Sequence, residues 1–178
     1  MGENTSTETK AVQAVPGQYL TFNLKAQRYG VPISTVREIN RVSDITHVPQ
    51  APEFVVGVIN LRGKVIPVVD LRLKFGMETA AHSRETCIIV IDGTDGQIGM
   101  IVDSVSEVVD LTGPQIEPPP VLGNDAKLSH VMGMGKIENK IIILVDIIRA
   151  LSKDNLQRFA EVSKNEVAGA EKDRLKTA

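Results

Sequence analysis

The chain contains an internal repeat, which restricts its possible folds more than any other feature of the sequence. The segment YGVPISTVREI at 29–39 aligns with IGMIVDSVSEV at 98–108. A second segment, GVINLRGKVIPVVD at 57–70, aligns in the same order with GMGKIENKIIILVD at 133–146. The paired positions agree in glycine, glutamate, lysine and aspartate as well as in β-branched residues, so biased composition does not explain the match. We infer a tandem duplication of one small unit.

The two matches differ in their offset along the chain. The first has an offset of 69 residues and the second an offset of 76. The extra residues lie between them, where LTGPQIEPPPVLGND at 111–125 contains four prolines and two glycines. Because proline cannot donate to a strand ladder, we expect a lengthened loop in this segment.

The composition favours strands in both units. Aromatic residues make up 3% of the chain, and its apolar runs are mostly valine and isoleucine, whose branched side chains fit a pleated sheet. A small antiparallel sheet hides its edges most simply by closing into a barrel. The runs EFVVGVIN and KIIILVD are apolar at successive positions, so both of their faces must be covered. We therefore expect an all-β protein in which two small barrels pack on each other.

The expected domain boundaries follow the repeat. The first barrel would comprise approximately residues 18–80 and the second approximately residues 81–151. Residues 1–17 are polar and small, which indicates a disordered lead-in. Residues 152–178 can place apolar side chains on one helical face, and we expect a helical or frayed tail.

A two-residue step separates the two apolar runs of each repeat. It is Arg62-Gly63 in the first repeat and Glu138-Asn139 in the second. Glycine and asparagine tolerate positive φ, so each step predicts a hairpin turn that uses Gly63 or Asn139 in that conformation. Such a turn does not require an arginine, and the charge of Arg62 is therefore available for another role.

Each of these hairpins ends on an aspartate that precedes a short helix-compatible run. Asp70 and Asp146 can accept hydrogen bonds from the first free amides of those helices. A catalytic pair of carboxylates is the alternative, but the duplication already explains why there are two. We interpret both residues as helix N-caps.

The other chemistry-bearing residues do not form a recognisable site. Cys87 opens an apolar strand and is interpreted as a packed side chain. His47, His82 and His130 lie in separate loop-like stretches without the spacing of metal ligands, so we expect them to be solvated. The sequence predicts no catalytic residues, no metal site and no cofactor.

Charge and hydropathy limit the partners and the compartment. A formal charge of −2 creates no field that would attract nucleic acid or an anionic membrane. The chain shows no signal peptide and no apolar run of the ~18 residues that a membrane span needs, so we expect a cytoplasmic protein without membrane insertion. A nucleic-acid-binding small barrel is the main alternative function, although two tyrosines, four phenylalanines and no tryptophan make a poor stacking platform. An enzyme with its site between the barrels is a third possibility.

The segments GVINLRGKVIPVVDLR and GMIVDSVSEV resemble those of the CheW coupling proteins of bacterial chemotaxis. The resemblance runs from about residue 18 to residue 151 and implies two tandem SH3-like, five-stranded barrels. It also implies a non-catalytic adaptor that couples methyl-accepting chemoreceptors, at their cytoplasmic tip, to the regulatory domain of a CheA-type histidine kinase. Such a protein would be recruited to membrane-associated receptor arrays.

The resemblance also implies two sets of binding residues. In the receptor-binding set, Arg62 lies at the receptor-facing turn and interacts with Glu38, beside an apolar groove between the barrels. The apolar members of this set are Val36, Ile39, Val105 and Val108. The kinase-binding set consists of Ile45, Val48, Phe54, Val55, Val56 and Gly57. The alternative for the apolar members of both sets is that they fill the barrel cores.

Overall fold

The computed structural model describes residues 13–120 and 130–151, which form strands joined by turns and very short helices. Most of the predicted lead-in and the whole predicted tail helix lie outside the described residues. The elements are β1 (Gly17–Leu24), β2 (Gln27–Pro32), β3 (Val36–Arg41), β4 (Val55–Leu61), β5 (Lys64–Asp70), α1 (Leu71–Lys74), β6 (Cys87–Asp92), β7 (Gln97–Val102), β8 (Ser104–Leu111), β9 (Ile116–Glu117), β10 (Val131–Ile137), β11 (Lys140–Val145) and α2 (Ile147–Ala150).

The strands form two sheets, here called sheet A and sheet B. Sheet A has the strand order β8–β1–β2–β11–β10–β9, and sheet B has the order β3–β6–β7–β5–β4. The predicted all-β class with two small SH3-like barrels is confirmed. Sheet B has the five expected strands, whereas sheet A gains the two-residue strand β9 from the proline-rich segment.

The two sheets do not correspond to the two sequence halves. Sheet A takes β1 and β2 from the first half of the chain and its other strands from the second half. Sheet B takes β3, β4 and β5 from the first half and β6 and β7 from the second. The expected division into barrels at residues 18–80 and 81–151 is therefore wrong, because each repeat gives its first hairpin to the other sheet.

This exchange explains why glycine recurs at one position of the repeat. Gly30 on β2 pairs with Leu144 on β11, and Gly99 on β7 pairs with Val68 on β5. A Cβ atom at Gly30 would lie 3.0 Å from the Leu144 side chain, and one at Gly99 would lie 2.8 Å from the side chain of Ile88. Both glycines lie in parallel pairs between strands of different halves, where a side chain would crowd those of the neighbouring strands.

Three apolar clusters hold the sheets together. The shared cluster lies between sheets A and B, and the other two lie inside sheet A and inside sheet B. Successive residues of β11 enter different clusters, because Ile142 and Leu144 join the cluster inside sheet A while Val145 joins the shared cluster. In β4, likewise, Val55 joins the shared cluster and Ile59 joins the cluster inside sheet B. The prediction that the most apolar strands are covered on both faces, with barrel packed on barrel, is confirmed.

The two hairpin turns of the repeat differ from the expectation in one detail. Arg62 and Gly63 both have positive φ, at 52° and 83°, and the Asn60 side chain accepts a hydrogen bond from the Gly63 amide at 2.9 Å. In the second repeat the residue with positive φ is Glu138, at 55°. The expectation that Asn139 takes this conformation is wrong.

Both predicted N-caps are confirmed. Asp70 accepts a hydrogen bond from the amide of Arg72 at 2.8 Å, and Asp146 accepts one from the amide of Arg149 at 3.1 Å. Each carboxylate satisfies an amide that a four-residue helix leaves free.

The predicted boundary of the disordered lead-in is too late. The Ala14 amide donates to the carbonyl of Met132 at 3.0 Å, and the Tyr19 hydroxyl donates to the carbonyl of Val15 at 2.6 Å. These bonds attach the chain to sheet A before β1 begins.

Candidate protein-binding surface

Arg62 and Glu38 form a bidentate ion pair. Nη2 of Arg62 donates to Oε2 of Glu38 at 2.7 Å, and Nη1 donates to Oε1 at 3.3 Å. The Arg62 side chain is 76% exposed and that of Glu38 is 21% exposed. The carboxylate therefore holds the guanidinium at the surface with much of its hydrogen-bonding perimeter open to a partner.

The pair joins the two ends of sheet B. Glu38 lies on β3 and Arg62 directly follows β4, and these are the first and last strands of that sheet. A bridge between Thr46 and Val58 reinforces the same closure, with amide-to-carbonyl distances of 2.8 and 2.9 Å. The ion pair thus fixes the turn after β4 against β3 where the sheet curls on itself.

Sheet A has no equivalent of this pair. The repeat places Glu107 where the first unit has Glu38, and it places Glu138 where the first unit has Arg62. Glu107 instead lies 3.9 Å from Arg28 across the sheet. The asymmetry between the repeats therefore singles out the Arg62 turn, since the hairpin itself is present in both.

The apolar residues of the receptor-binding set fall into two classes. Val36 and Val105 are half-buried and pack against the shared cluster. Ile39 and Val108 are 45% and 49% exposed. These two exposed residues occupy equivalent positions of the repeat, one on the edge strand β3 and the other on the edge strand β8.

Cys87 lies next to the edge strand β3. It opens β6 and pairs with Arg41 at the end of β3. Its side chain packs against the shared cluster, and burial raises the pKa of the thiol. The packed role predicted for Cys87 is therefore confirmed.

The kinase-binding set surrounds the start of β4 and is largely internal. Val48 and Val55 are buried in the shared cluster. Gly57 is buried too, and a Cβ atom there would lie 2.1 Å from the carbonyl oxygen of Thr46. The side chains of these residues are core, so a partner could contact them only after rearrangement.

Three members of that set keep part of their surface. Ile45 and Val56 are half-buried against the cluster inside sheet B. Phe54 is half-buried against the shared cluster, and the ammonium of Lys74 lies 4.4 Å above the centre of its ring. Burial lowers the pKa of this lysine. The exposed parts of Ile45, Phe54 and Val56 are what this region can offer to a partner.

An ion pair that the sequence analysis did not anticipate joins the sheets. Arg72, in α1, donates from Nε to Oδ1 of Asp103 at 2.7 Å and also from Nη2 to Oδ2. Asp103 additionally accepts a hydrogen bond from the Lys25 amide in the β1–β2 turn at 2.7 Å. Burial would raise the pKa of the Asp103 carboxyl, but these hydrogen bonds hold it below its ordinary value. The sequence signal is a break in the repeat, because Ser34 and Ile148 occupy the equivalent positions.

The prediction that the His130 side chain is solvated is wrong as well. Its ring stacks on Phe75 with the ring centres 4.9 Å apart, and Phe75 stacks in turn on Tyr29 at 5.5 Å. Burial, assisted by the nearby charge of Lys74, lowers the pKa of His130. The imidazole is therefore a half-buried member of an aromatic stack and not the solvated side chain that was expected.

No helix among the described residues is long and apolar enough to cross a membrane. Within the same residues, no three His, Cys, Asp or Glu side chains come together as a metal site would require.

Comparison with known proteins assigns the family. The family model of the CheW-like domain matches residues 18–155. The chain is 34% identical over 155 residues to the chemotaxis protein CheW of Klebsiella aerogenes, covering 87% of this chain and 93% of that one. It is 35% identical over 130 residues to the chemotaxis protein CheW of Rhizobium meliloti, covering 73% and 84% of the two chains.

A solved structure agrees with this assignment. The crystal structure of the scaffolding protein TtCheW from Thermoanaerobacter tengcongensis matches with a TM-score of 0.71 and 35% identity, over 79% of this chain and 96% of that chain. The chain therefore belongs to the CheW-like domain family.

Proposed function

We propose that this protein is a non-catalytic adaptor in a chemotaxis signalling array, where it couples chemoreceptors to a CheA-type histidine kinase. The relatives named chemotaxis protein CheW and the scaffolding protein of known structure support the adaptor role. The observation that carries the proposal within this chain is the Arg62–Glu38 pair, which presents an ordered cation where sheet B closes, against the strand β3 that also carries the exposed Ile39.

The receptor-binding surface is proposed to centre on Arg62, Ile39 and Val108. An ordered guanidinium can bind a carboxylate or a backbone carbonyl of the receptor, while the two exposed apolar residues supply desolvated contact. Val36 and Val105 would support these residues from below, because both pack against the shared cluster. This arrangement suits a helical receptor tip, in which apolar residues recur on one face of the helix and polar residues flank that face.

The kinase-binding surface is proposed to lie at the start of β4, on the exposed parts of Ile45, Phe54 and Val56. It lies at the start of β4, whereas Arg62 follows the other end of that strand, so one molecule could engage two partners at once. Val48, Val55 and Gly57 would then act by shaping the strand. Recruitment to a receptor array at the membrane would follow from these two contacts, without insertion of the chain itself.

Isothermal titration tests the two surfaces separately. The partners are the purified regulatory domain of the kinase and a fragment of the receptor's cytoplasmic tip, both from the organism that supplies this protein. We expect Arg62→Ala to weaken binding of the receptor fragment roughly 10-fold or more and to leave kinase binding unchanged. Arg37→Ala is the matched control, because Arg37 is also an exposed arginine in an ion pair of sheet B.

A third variant tests the kinase surface. Val56→Thr keeps the shape of the side chain but places a hydroxyl in the proposed contact, and we expect weaker kinase binding with unchanged receptor binding. If the wild-type protein binds neither the kinase regulatory domain nor the receptor fragment, the adaptor proposal is refuted.

A further inference from the structure

Sheet A contains a groove that neither proposed surface uses. It lies between the turn end of the β1–β2 hairpin and that of the β10–β11 hairpin, and its volume is about 470 Å³. Its lining includes Gln27 and Arg28 from β2, Met134 from β10, and Lys140, Ile141 and Ile143 from β11. The receptor-binding and kinase-binding residues lie on β3, β4 and β8, in the segment between β3 and β4, and at the turn after β4, so this groove is a separate feature.

The floor of the groove is apolar and continues into the interior. Met134 and Ile143 lie directly opposite each other on paired strands. Ile143 also packs against the shared cluster, whereas Ile141 near the turn is among the most exposed apolar residues of the described chain. A ligand side chain that enters the groove would therefore extend the existing core and cover Ile141.

The charged groups of the groove are both cations. Arg28 and Lys140 line it, and no carboxylate from the described part of the chain does. Glu107 is 3.9 Å from Arg28, a distance at which it compensates that charge only weakly. Among the described residues, Lys140 makes no ion pair. Two cations beside an apolar floor complement a ligand that combines carboxylates with an apolar side chain.

The repeat provides an internal comparison for this groove. In sheet B, Val58, Val65 and Pro67 occupy the positions of Met134, Ile141 and Ile143, so the apolar floor recurs. The basic rim does not recur to the same extent. Gln97 stands where sheet A has Arg28, which leaves only Lys64, the counterpart of Lys140. The basic character of the groove therefore belongs to sheet A alone.

The same comparison argues against a second copy of this chain as the occupant. Gln97 lies opposite Asp92 on the neighbouring strand, and the Asp92 carboxylate is already paired with Arg37. This carboxylate is therefore not free to bind Arg28 and Lys140 of a second copy. An acidic segment of a different protein satisfies the charges that a second copy leaves unpaired.

We propose that the groove binds an acidic peptide segment of a partner protein, which inserts one aliphatic or aromatic side chain over Met134 and Ile143. Its flanking carboxylates would engage Arg28 and Lys140. This contact would be additional to the receptor and kinase contacts and could be occupied together with them, because it uses other strands.

Methyl-resolved NMR tests this proposal with a defined probe. The probe is a hexapeptide with a central phenylalanine–leucine pair and two carboxylate side chains on each flank, and its matched control carries lysines in place of the acids. We expect the acidic peptide to shift the methyl signals of Met134, Ile141 and Ile143 while those of Val58 and Val65 stay in place. The lysine peptide should shift none of them.

Charge-reversal variants identify the rim. Arg28→Glu and Lys140→Glu should each weaken binding of the acidic peptide roughly 10-fold, and raising the salt concentration should weaken it further. Lys64→Glu is the matched control, because Lys64 is the repeat counterpart of Lys140, and it should leave binding unchanged. Circular dichroism of each variant establishes that it is folded.

Three outcomes of the NMR experiment would overturn the proposal. The acidic peptide could shift the methyl signals of the groove in sheet A and of its counterpart in sheet B equally, or it could shift none of them at millimolar concentration. The lysine peptide could also bind as well as the acidic peptide does. Concentration-dependent dimerisation that Ile141→Asp abolishes would assign the groove to a second copy instead. Binding of vesicles containing phosphatidylglycerol, with no binding of the peptide, would assign it to an anionic membrane. None of these results depends on whether the receptor and kinase bind elsewhere.

Discussion

Arg62 donates two hydrogen bonds to Glu38, and this pair connects the turn after the last strand of sheet B to its first strand. The pair combines two roles. It restrains a turn whose arginine has a positive φ of 52°, and it leaves most of that arginine at the surface. This geometry suits a residue that presents an oriented side chain to a partner and contributes little to the fold through burial.

The first prediction separates binding from stability at this pair. Arg62→Ala should change the free energy of unfolding by no more than ~1 kcal/mol, because exposed ion pairs contribute little. The same change should weaken binding of the receptor fragment. Urea unfolding and titration of the same preparation measure the two effects, and a double-mutant cycle with Glu38→Gln gives the energy of the pair itself. A large loss of stability without loss of binding would contradict the interface role.

The second prediction concerns the close approach at Gly57. A Cβ atom there would lie 2.1 Å from the Thr46 carbonyl oxygen, which accepts a hydrogen bond in the bridge that helps to close sheet B. Gly57→Ala should therefore destabilise the protein by about 3 kcal/mol or more. Gly17→Ala is the matched control. The φ of Gly17, 151°, is similar to that of Gly57, but a Cβ atom added at Gly17 would have nothing within 4 Å. Similar losses in the two variants would show that backbone strain, and not the clash, sets the effect.

The third prediction concerns the ion pair between Arg72 and Asp103, whose side chains are 15% and 28% exposed. Arg72→Met would leave the Asp103 carboxylate mostly buried without its main partner, so we expect a loss on the order of 3 kcal/mol. Arg37→Met removes the arginine of a more exposed pair and should cost about 1 kcal/mol or less. Thermal unfolding of the two variants measures the difference. Equal losses would mean that the buried pair does not hold the sheets together.

The fourth prediction concerns the pH dependence of stability. His130 has a pKa below its ordinary value of 6.5 in the folded protein, so the unfolded chain binds more protons as the pH falls. Its contribution to the free energy of unfolding should be complete above about pH 6.5 and should be lost as the pH falls towards the folded pKa. Urea unfolding between pH 7.5 and pH 5 measures this loss. The variant His130→Phe should flatten the profile in that range, and an unchanged profile would contradict the role of His130.

Much of the fold could be predicted from the repeat and from the apolar runs. Consecutive apolar residues in β4 and β11 required two covered faces, and each face meets its own cluster. The exchange of hairpins between the sheets could not be predicted in the same way. The repeat defines which segments are equivalent, but it does not say whether a hairpin pairs with its own half or with the other half.

Only part of the candidate site could be predicted from the sequence. Arg62 stood out because the turn did not need its charge, and the contact with Glu38 followed from the family resemblance. Arg72 and Asp103 were missed because neither residue is unusual in isolation, and only their long-range contact gives them a role. His130 was misjudged because a loop-like sequence context does not reveal that Phe75, far away in the chain, packs against its ring.

The central claim is that one molecule of this protein bridges a receptor and a kinase. Co-sedimentation tests it most directly, with receptor-containing membranes, the isolated kinase regulatory domain and this protein as the only variable. The account predicts that the regulatory domain sediments with the membranes when the wild-type protein is present and much less when Arg62→Ala replaces it. Sedimentation of the regulatory domain to the same extent with and without this protein would contradict the adaptor role.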